Sequence, residues 1–398
     1  MTERATDGKP TGQPAPPDSS EQPAPRVPGA AAEDGLWSPS RRALTIGLVL
    51  IVTILASEAL AVSTIMPIVA RDLGGIELYG WVFSGFFLGT LLGIVVTGTL
   101  IDRGSLARPF LLGVGLFTVG LVLGGVASSM DVLVGARVVQ GLGAGAVPSV
   151  AYVAIGRALP ERLRPQMFAT LSTAWVVPGV LGPGLAGVVA ESLHWRLVFL
   201  GLLPLVAVAV WLTLPAIRAV APAPAPAGGE GAAPSAARRR LPLAVALVTG
   251  AGLAMAGLSG ASAVPLLLLG AGIAIALPAF ARLTPPGTVT AAPGLPTAVL
   301  LRGILTFAFF AADVYVPLAI QDWRGEPAIM SGIVFTAATL AWTMGSWVQA
   351  RRVERIGPGR FLALGFSIVA LGTVGFAAIL LPAVPLAVGV AAWSVVGF

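Results

Sequence analysis

Three ionisable residues stand inside long apolar runs of the chain: Glu58, Arg137 and Asp313. At 1.5 Å of helical rise per residue, Glu58 lies about 13 Å from Pro67, Arg137 about 9–10 Å from Asp131, and Asp313 about 10 Å from Ile320. If those apolar runs cross a membrane, the three share a depth in one leaflet. A charge there costs several kcal/mol unless it faces a cavity or another charge. Burial and a neighbouring guanidinium act on a carboxylate in opposite senses, so a moving substrate can tip the balance between its charged and protonated forms. That chemistry is proton coupling. The competing reading makes Glu58 and Arg137 a static pair that holds helices together, and Asp313 an interhelical polar contact.

The runs that must position these residues are of membrane-spanning length. Of 398 residues, 56% are hydrophobic and 11% charged, where a soluble domain carries about 25% charged residues. The mean hydropathy is +0.90. An all-α polytopic membrane protein follows, since about 20 apolar residues in a helix cross the hydrocarbon core. There is no cysteine, which excludes disulfides, thiolate metal sites and cysteine catalysis, and one histidine is too few for a histidine metal cluster. No cofactor is implied. A membrane-embedded enzyme lacks the necessary cluster of His, Ser or carboxylate groups at a common depth. The formal charge of +6 is carried by arginines scattered over short turns, which is a topology signal and not a nucleic-acid patch.

Residues 1–40, rich in Pro, Gly, Ala and Ser, cannot bury enough apolar surface to order themselves and are expected to form a disordered cytoplasmic tail. Six spans are expected within 41–217, at 43–68, 78–101, 109–129, 132–156, 166–190 and 197–217. An Ala-Pro linker at 218–241 carries Arg238, Arg239 and Arg240. The uncharged stretch 242–281 reads as a two-helix hairpin broken near Gly257-Leu258-Ser259-Gly260. Spans at 298–320, 329–350 and 361–380, with a partial one from about 384, place an incomplete second half at 282–398. With the amino terminus inside and the hairpin counted as two spans, Arg71, Arg196 and Arg324 fall outside, Arg137 lies in a span, and every other basic residue falls inside. A single span at 242–281 would instead place Arg351, Arg352, Arg355 and Arg360 outside, against the positive-inside rule.

The chain also repeats itself. A gapless slide that lays Gly80 on Gly332 lays Val82 on Val334, Phe83 on Phe335, Gly93 on Gly345, Asp102 on Glu354, Arg103 on Arg355, Arg108 on Arg360 and Gly113 on Gly365. The charged turn Gly98 to Arg108 thus exists twice, and duplicated units of this kind build secondary transporters. With the slide four residues longer, Trp393-Ser394-Val395-Val396-Gly397 matches Arg137-Val138-Val139-Gln140-Gly141. The second half then ends partway through its fourth helix, and a full version would have six, two and six spans.

These motifs resemble those of the fourteen-helix drug/proton antiporters of the major facilitator superfamily. Glu58 to Pro67 is similar to the acidic-residue-to-proline motif of the first helix, with Glu for the usual Asp. Gly98 to Arg108 resembles the signature loop between helices two and three, although Gly104 directly follows Arg103 here. Arg137 to Gly141 resembles the helix-four motif, whose arginine is implicated in proton transfer. Pro178 to Gly187, with Gly179, Gly182, Pro183 and Gly187, resembles the helix-five antiporter motif, and His194 to Pro204 the stretch leading into helix six.

The resemblance implies a major facilitator fold of two six-helix repeats with two extra central helices, the second repeat truncated. It implies a monomeric, proton-coupled exporter of small amphipathic molecules in the plasma membrane, with protons, the substrate and the lipid bilayer as partners and no nucleic acid. Glu58, Arg137 and Asp313 would couple protons. Gly98, Asp102, Arg103, Arg108, Glu354, Arg355 and Arg360 would form cytoplasmic gate loops, with Glu354 facing the start of the span at 166 by pseudo-symmetry. Trp81 and Trp342 are candidates for the substrate cavity, or else membrane anchors, and His194 is expected at the outer interface. An importer or facilitator of a small nutrient and a transport-inactive membrane scaffold are the alternatives.

Overall fold

A computed structural model describes residues 35–101, 105–221, 236–258 and 262–398. Asp102 and Arg103 therefore lie outside the described residues, as do most of the expected tail and linker. Without water to satisfy them, backbone N–H and C=O groups in a bilayer must pair within their own segment, and a helix does this locally. The apolar runs accordingly become helices, with no strand among the described residues.

The first half comprises α1 (Arg42–Leu73), α2 (Tyr79–Ile101), α3 (Ala107–Gly125), α4 (Met130–Ala158), α5 (Arg164–Thr173), α6 (Val176–Val189), α7 (Arg196–Leu200) and α8 (Leu202–Ala219). Together α5 and α6 make one span, and α7 and α8 another. A hairpin of α9 (Ala236–Gly257) and α10 (Ala263–Leu283) follows. Its helices meet through Gly250, Gly257 and Gly272, and α9 leans on α2. The second half holds α11 (Leu295–Asp313), the short α12 (Val316–Leu318), α13 (Ala328–Ile356), α14 (Pro358–Ala377) and α15 (Leu386–Gly397). Among the described residues, eleven helical segments are long and apolar enough to cross a membrane.

Two boundaries differ from the sequence reading. The amino-terminal tail ends before residue 40: Leu36 is fully buried in the first-half core, and its carbonyl accepts from Thr45 Oγ1 at 3.0 Å. One large apolar side chain is enough to anchor the turn that precedes α1. At the linker, α9 begins at Ala236, so the three arginines start the helix and do not precede it.

Each half has its own hydrophobic core. The contacts between halves gather toward the end of the bundle where α1 finishes. There Tyr79 Oη donates to the Val314 carbonyl at 3.1 Å, and the Tyr79 and Tyr315 rings stack at 5.9 Å. Gln321 Nε2 donates to the Thr64 carbonyl at 2.8 Å. The backbone N–H of Ala328 donates to Glu191, and Arg71 pairs with Asp322. Deeper in, α6 lies antiparallel along the first turns of α13: Thr336 Oγ1 donates to the Val180 carbonyl at 2.9 Å, and Gly179 faces Thr339. Beyond that level α5, which continues the line of α6, makes no comparable packing on α13. Among the described residues the halves thus meet at the Arg71 end, with no comparable packing between α5 and α13 toward the end that carries Arg108 and Glu354.

Candidate functional site

Small residues on α4 set the geometry of the site. Gly141 and Gly145 let α2 approach until its backbone touches α4, and Gly120 of α3 does the same opposite Gln140. Glycine stripes of this kind drive close helix packing where no hydrophobic effect between helices is available. Arg137, one turn before Gly141, is thereby enclosed at 2% exposure, and Glu58 of α1 at 0%.

Arg137 Nη1 donates to Glu58 Oε1, forming a buried ion pair, and to Gln140 Oε1 at 2.7 Å. Its Nε donates to the Val82 carbonyl at 3.4 Å, and the guanidinium lies over the Phe86 ring, 4.2 Å from the centroid. A cation on an aromatic face out of water gains about 2 kcal/mol. The guanidinium is thus held by α1, α2 and α4 at once. Among the described residues, two buried atoms beside it, Glu58 Oε2 and Gln140 Nε2, close no regular hydrogen bond.

Asp313 does not join this cluster. It sits half-buried at the end of α11 and faces the indole of Trp393, whose fully buried Nε1 points toward the carboxyl without closing a regular hydrogen bond. Phe309 stacks on Trp393 at 5.9 Å and Phe376 tilts against it at 5.2 Å. The structure therefore joins two of the three in-span charges and leaves the third in an aromatic setting of the second half.

The remaining expected site residues divide by place. Gly98 is half-buried near the end of α2, and Arg108, Glu354, Arg355 and Arg360 are exposed at the end opposite Arg71. Glu354 makes no ion pair or hydrogen bond among the described residues. In the helix-five motif, Gly179 meets Thr339 and Gly187 meets the backbone of Ala328 and Ile329, but a Cβ on Gly182 would meet nothing within 4 Å. The close approach instead comes at the next two residues, where Gly332 faces Pro183 and Gly184. Trp81 is half-buried on α2, and Trp342 is 58% exposed beside Phe309. His194 lies tilted against Trp195 just before α7 and is exposed. A cavity of about 520 Å³ on the flank of the second half is lined by Tyr315, Leu318, Phe376, Leu380 and Trp393, and touches neither Glu58 nor Arg137.

Sequence reasoning missed Gln140, Phe86 and Trp393 as parts of these sites. Gln140 was within reach, because a residue three positions after Arg137 lies on the same helical face. Phe86 and Trp393 depend on which helices neighbour one another.

The described residues thus form two halves of repeated helices, with a buried ion pair in the first. The Major Facilitator Superfamily model matches residues 46–398, and the chain belongs to that family. It is 30% identical over 160 residues to multidrug resistance protein 3 of Bacillus subtilis (strain 168), covering 40% of this chain and 31% of that protein. It is 28% identical over 172 residues to vacuolar basic amino acid transporter 5 of Saccharomyces cerevisiae (strain ATCC 204508 / S288c), covering 43% of this chain and 30% of that protein. The matched segments thus span about a third of these relatives. Among solved structures, a bacterial homologue of the human lysosomal transporter Spinster, inward-facing and unoccupied, aligns with a TM-score of 0.57 at 17% identity. That alignment covers 90% of this chain and 72% of the other.

Proposed function

We propose that the protein is a proton-coupled antiporter that exports small amphipathic molecules across the plasma membrane by alternating access, with its amino terminus in the cytoplasm. The observation that carries this reading is the Glu58–Arg137 pair, fully withdrawn from solvent yet with no regular hydrogen bond closed at Glu58 Oε2 among the described residues. A proton can be added at that oxygen without first breaking a regular hydrogen bond. Once Glu58 is neutral, Gln140, Val82 and Phe86 still hold the guanidinium, so the site survives both charge states. On this reading the Arg71 end faces outward and is closed, and the opposite end with Gly98, Arg108, Glu354, Arg355 and Arg360 is the open cytoplasmic gate. Asp313 is a second proton or cation site, and Trp81 and Trp342 contact the cargo.

The test is efflux of ethidium in everted vesicles energised to an acid interior. Proton-driven dye movement in the native protein that disappears in Glu58→Gln supports the reading; unchanged movement in that variant removes Glu58 from coupling. A second reading, carriage of a basic amino acid, is favoured by the yeast relative. Uptake of labelled arginine into the same vesicles, with no dye movement, would put it first.

A further inference from the structure

We propose that Arg71 and Asp322 form a breakable bolt across the two halves at the closed end, and that a Trp-Arg clasp within each half leaves Asp322 available for it. This rests on the alternating-access reading above.

In the first half, Asp72 at the end of α1 accepts from Trp195 Nε1 at 2.8 Å and from Arg196 Nη1 at 3.1 Å. Arg196 Nη2 donates to the Ala127 carbonyl at 2.9 Å, and its guanidinium lies over Trp195 at 4.3 Å. The Trp195-Arg196 pair thus ties the end of α1 to the end of α3.

Laying Pro317 on Pro67 puts Asp322 on Asp72 and Gly325 on Gly75. Both glycines have left-handed backbones, with φ of 68° and 74°. The repeat that lays Gly113 on Gly365 lays Ala127 on Ile379. The second half makes the corresponding tie with different residues. Trp323 Nε1 donates to the Leu380 carbonyl at 2.8 Å, and Arg324 Nη1 to the carbonyls of Ile379 at 3.3 Å and Leu381 at 3.2 Å. This Trp-Arg pair directly follows Asp322, where the first half has Leu73 and Gly74. With the end of α14 secured to backbone carbonyls, the Asp322 carboxylate turns instead to Arg71 of the other half.

The two kinds of contact suit different tasks. The clasps stay within a half and can persist while the halves move as bodies. The bolt crosses between them, and its side chains are 53% and 31% exposed, so water screens it and it breaks at little cost. Gln321 supports it from beneath, donating to the Thr64 carbonyl of the first half and, at 3.0 Å, to Ser331 Oγ of its own. Ser331 is fully buried under this layer.

The chain has no cysteine, so Ser331→Cys supplies a single thiol whose maleimide labelling rate in the purified full chain reports opening of this end. Arg71→Asp in that background is expected to raise the rate about fivefold. The swap Arg71→Asp with Asp322→Arg is expected to return it to within about twofold of the background. Size-exclusion profiles keep the comparison to folded protein, and Arg71→Gln replaces the reversal if that variant does not fold. An unchanged rate on removing the Arg71 charge, or a swap that labels as fast as the reversal, overturns the bolt. The assay uses neither a substrate nor a proton gradient, so its failure is distinct from failure of the transport reading.

Discussion

Trp393 stands in the second half where Arg137 stands in the first. Backbone approaches establish the register. Gly93 meets Leu142 as Gly345 meets Phe398, Gly141 meets Phe86 as Gly397 meets Ala338, and Gly120 meets Gln140 as Gly372 meets Val396. At each of these positions a Cβ would overlap the neighbouring helix, so glycine is retained in both copies. The enclosed residues diverge: Arg137, Gln140 and Phe86 become Trp393, Val396 and Ala338. One scaffold holds an ion pair, and its copy holds an indole against Asp313.

Because both members of the Glu58–Arg137 pair are buried, removing one strands the other. Arg137→Leu is expected to lower the stability of the purified protein by about 3–5 kcal/mol, and Glu58→Gln to lower it measurably as well. The double variant is expected to cost clearly less than the sum, since no uncompensated charge remains. Thermal unfolding of the four proteins in micelles measures this, and simple additivity would show that the two groups do not act as a pair.

Much of this arrangement could be read from residue order. Span length and the charge-free stretch at 242–281 place the helices to within a few residues, because hydrocarbon thickness dictates both. The break after Gly257 and the repeat of Gly93 at Gly345 were legible for the same reason: each is a local consequence of helix length or helix contact. The pairing of Glu58 with Arg137 was an inference from shared depth, and depth alone also drew in Asp313. Depth gives height in the membrane but not azimuth around the helix bundle. Azimuth depends on which helices touch, and for that reason Trp393 beside Asp313 and Arg71 beside Asp322 were beyond reach.

The glycines of α6 and of the facing α13 should separate by what they meet. Gly332→Ala would put a Cβ 2.8 Å from the Gly184 nitrogen, and Gly187→Ala would put one 3.1 Å from Ala328 and Ile329. The first is expected to cost about 1–3 kcal/mol and the second less. Gly182→Ala meets open space and should be neutral or stabilising by up to about 1 kcal/mol, the helix-propensity gain. Melting temperatures rank the three, and a Gly182 variant as damaged as the Gly332 variant would contradict this packing.

Asp313 should respond oppositely to Glu58. Its carboxyl is half-buried and has no ion-pair partner among the described residues, so its charge is a cost without a matching Coulomb gain. Asp313→Asn keeps an oxygen for the Trp393 N–H and removes that cost. Its melting temperature is expected to equal or exceed that of the parent. A clear fall would mean that the negative charge itself is stabilised by a cation at this site.

Asp72 and Asp322 occupy equivalent positions but should fail in different ways. The partners of Asp72, Trp195 and Arg196, belong to its own half. Asp72→Ala therefore loosens the join between α1 and α7, and since Asp72 and Arg196 are 46% and 31% exposed, the expected loss is about 1 kcal/mol. The halves stay bolted, so Ser331→Cys should label at its background rate. With Asp322→Ala the stability should hold while labelling speeds up, because the bonds that brace α14 come from Trp323 and Arg324. Melting curves and labelling rates on the two variants check both statements. Faster labelling in Asp72→Ala would mean that the clasp, and not the bolt, keeps this end shut.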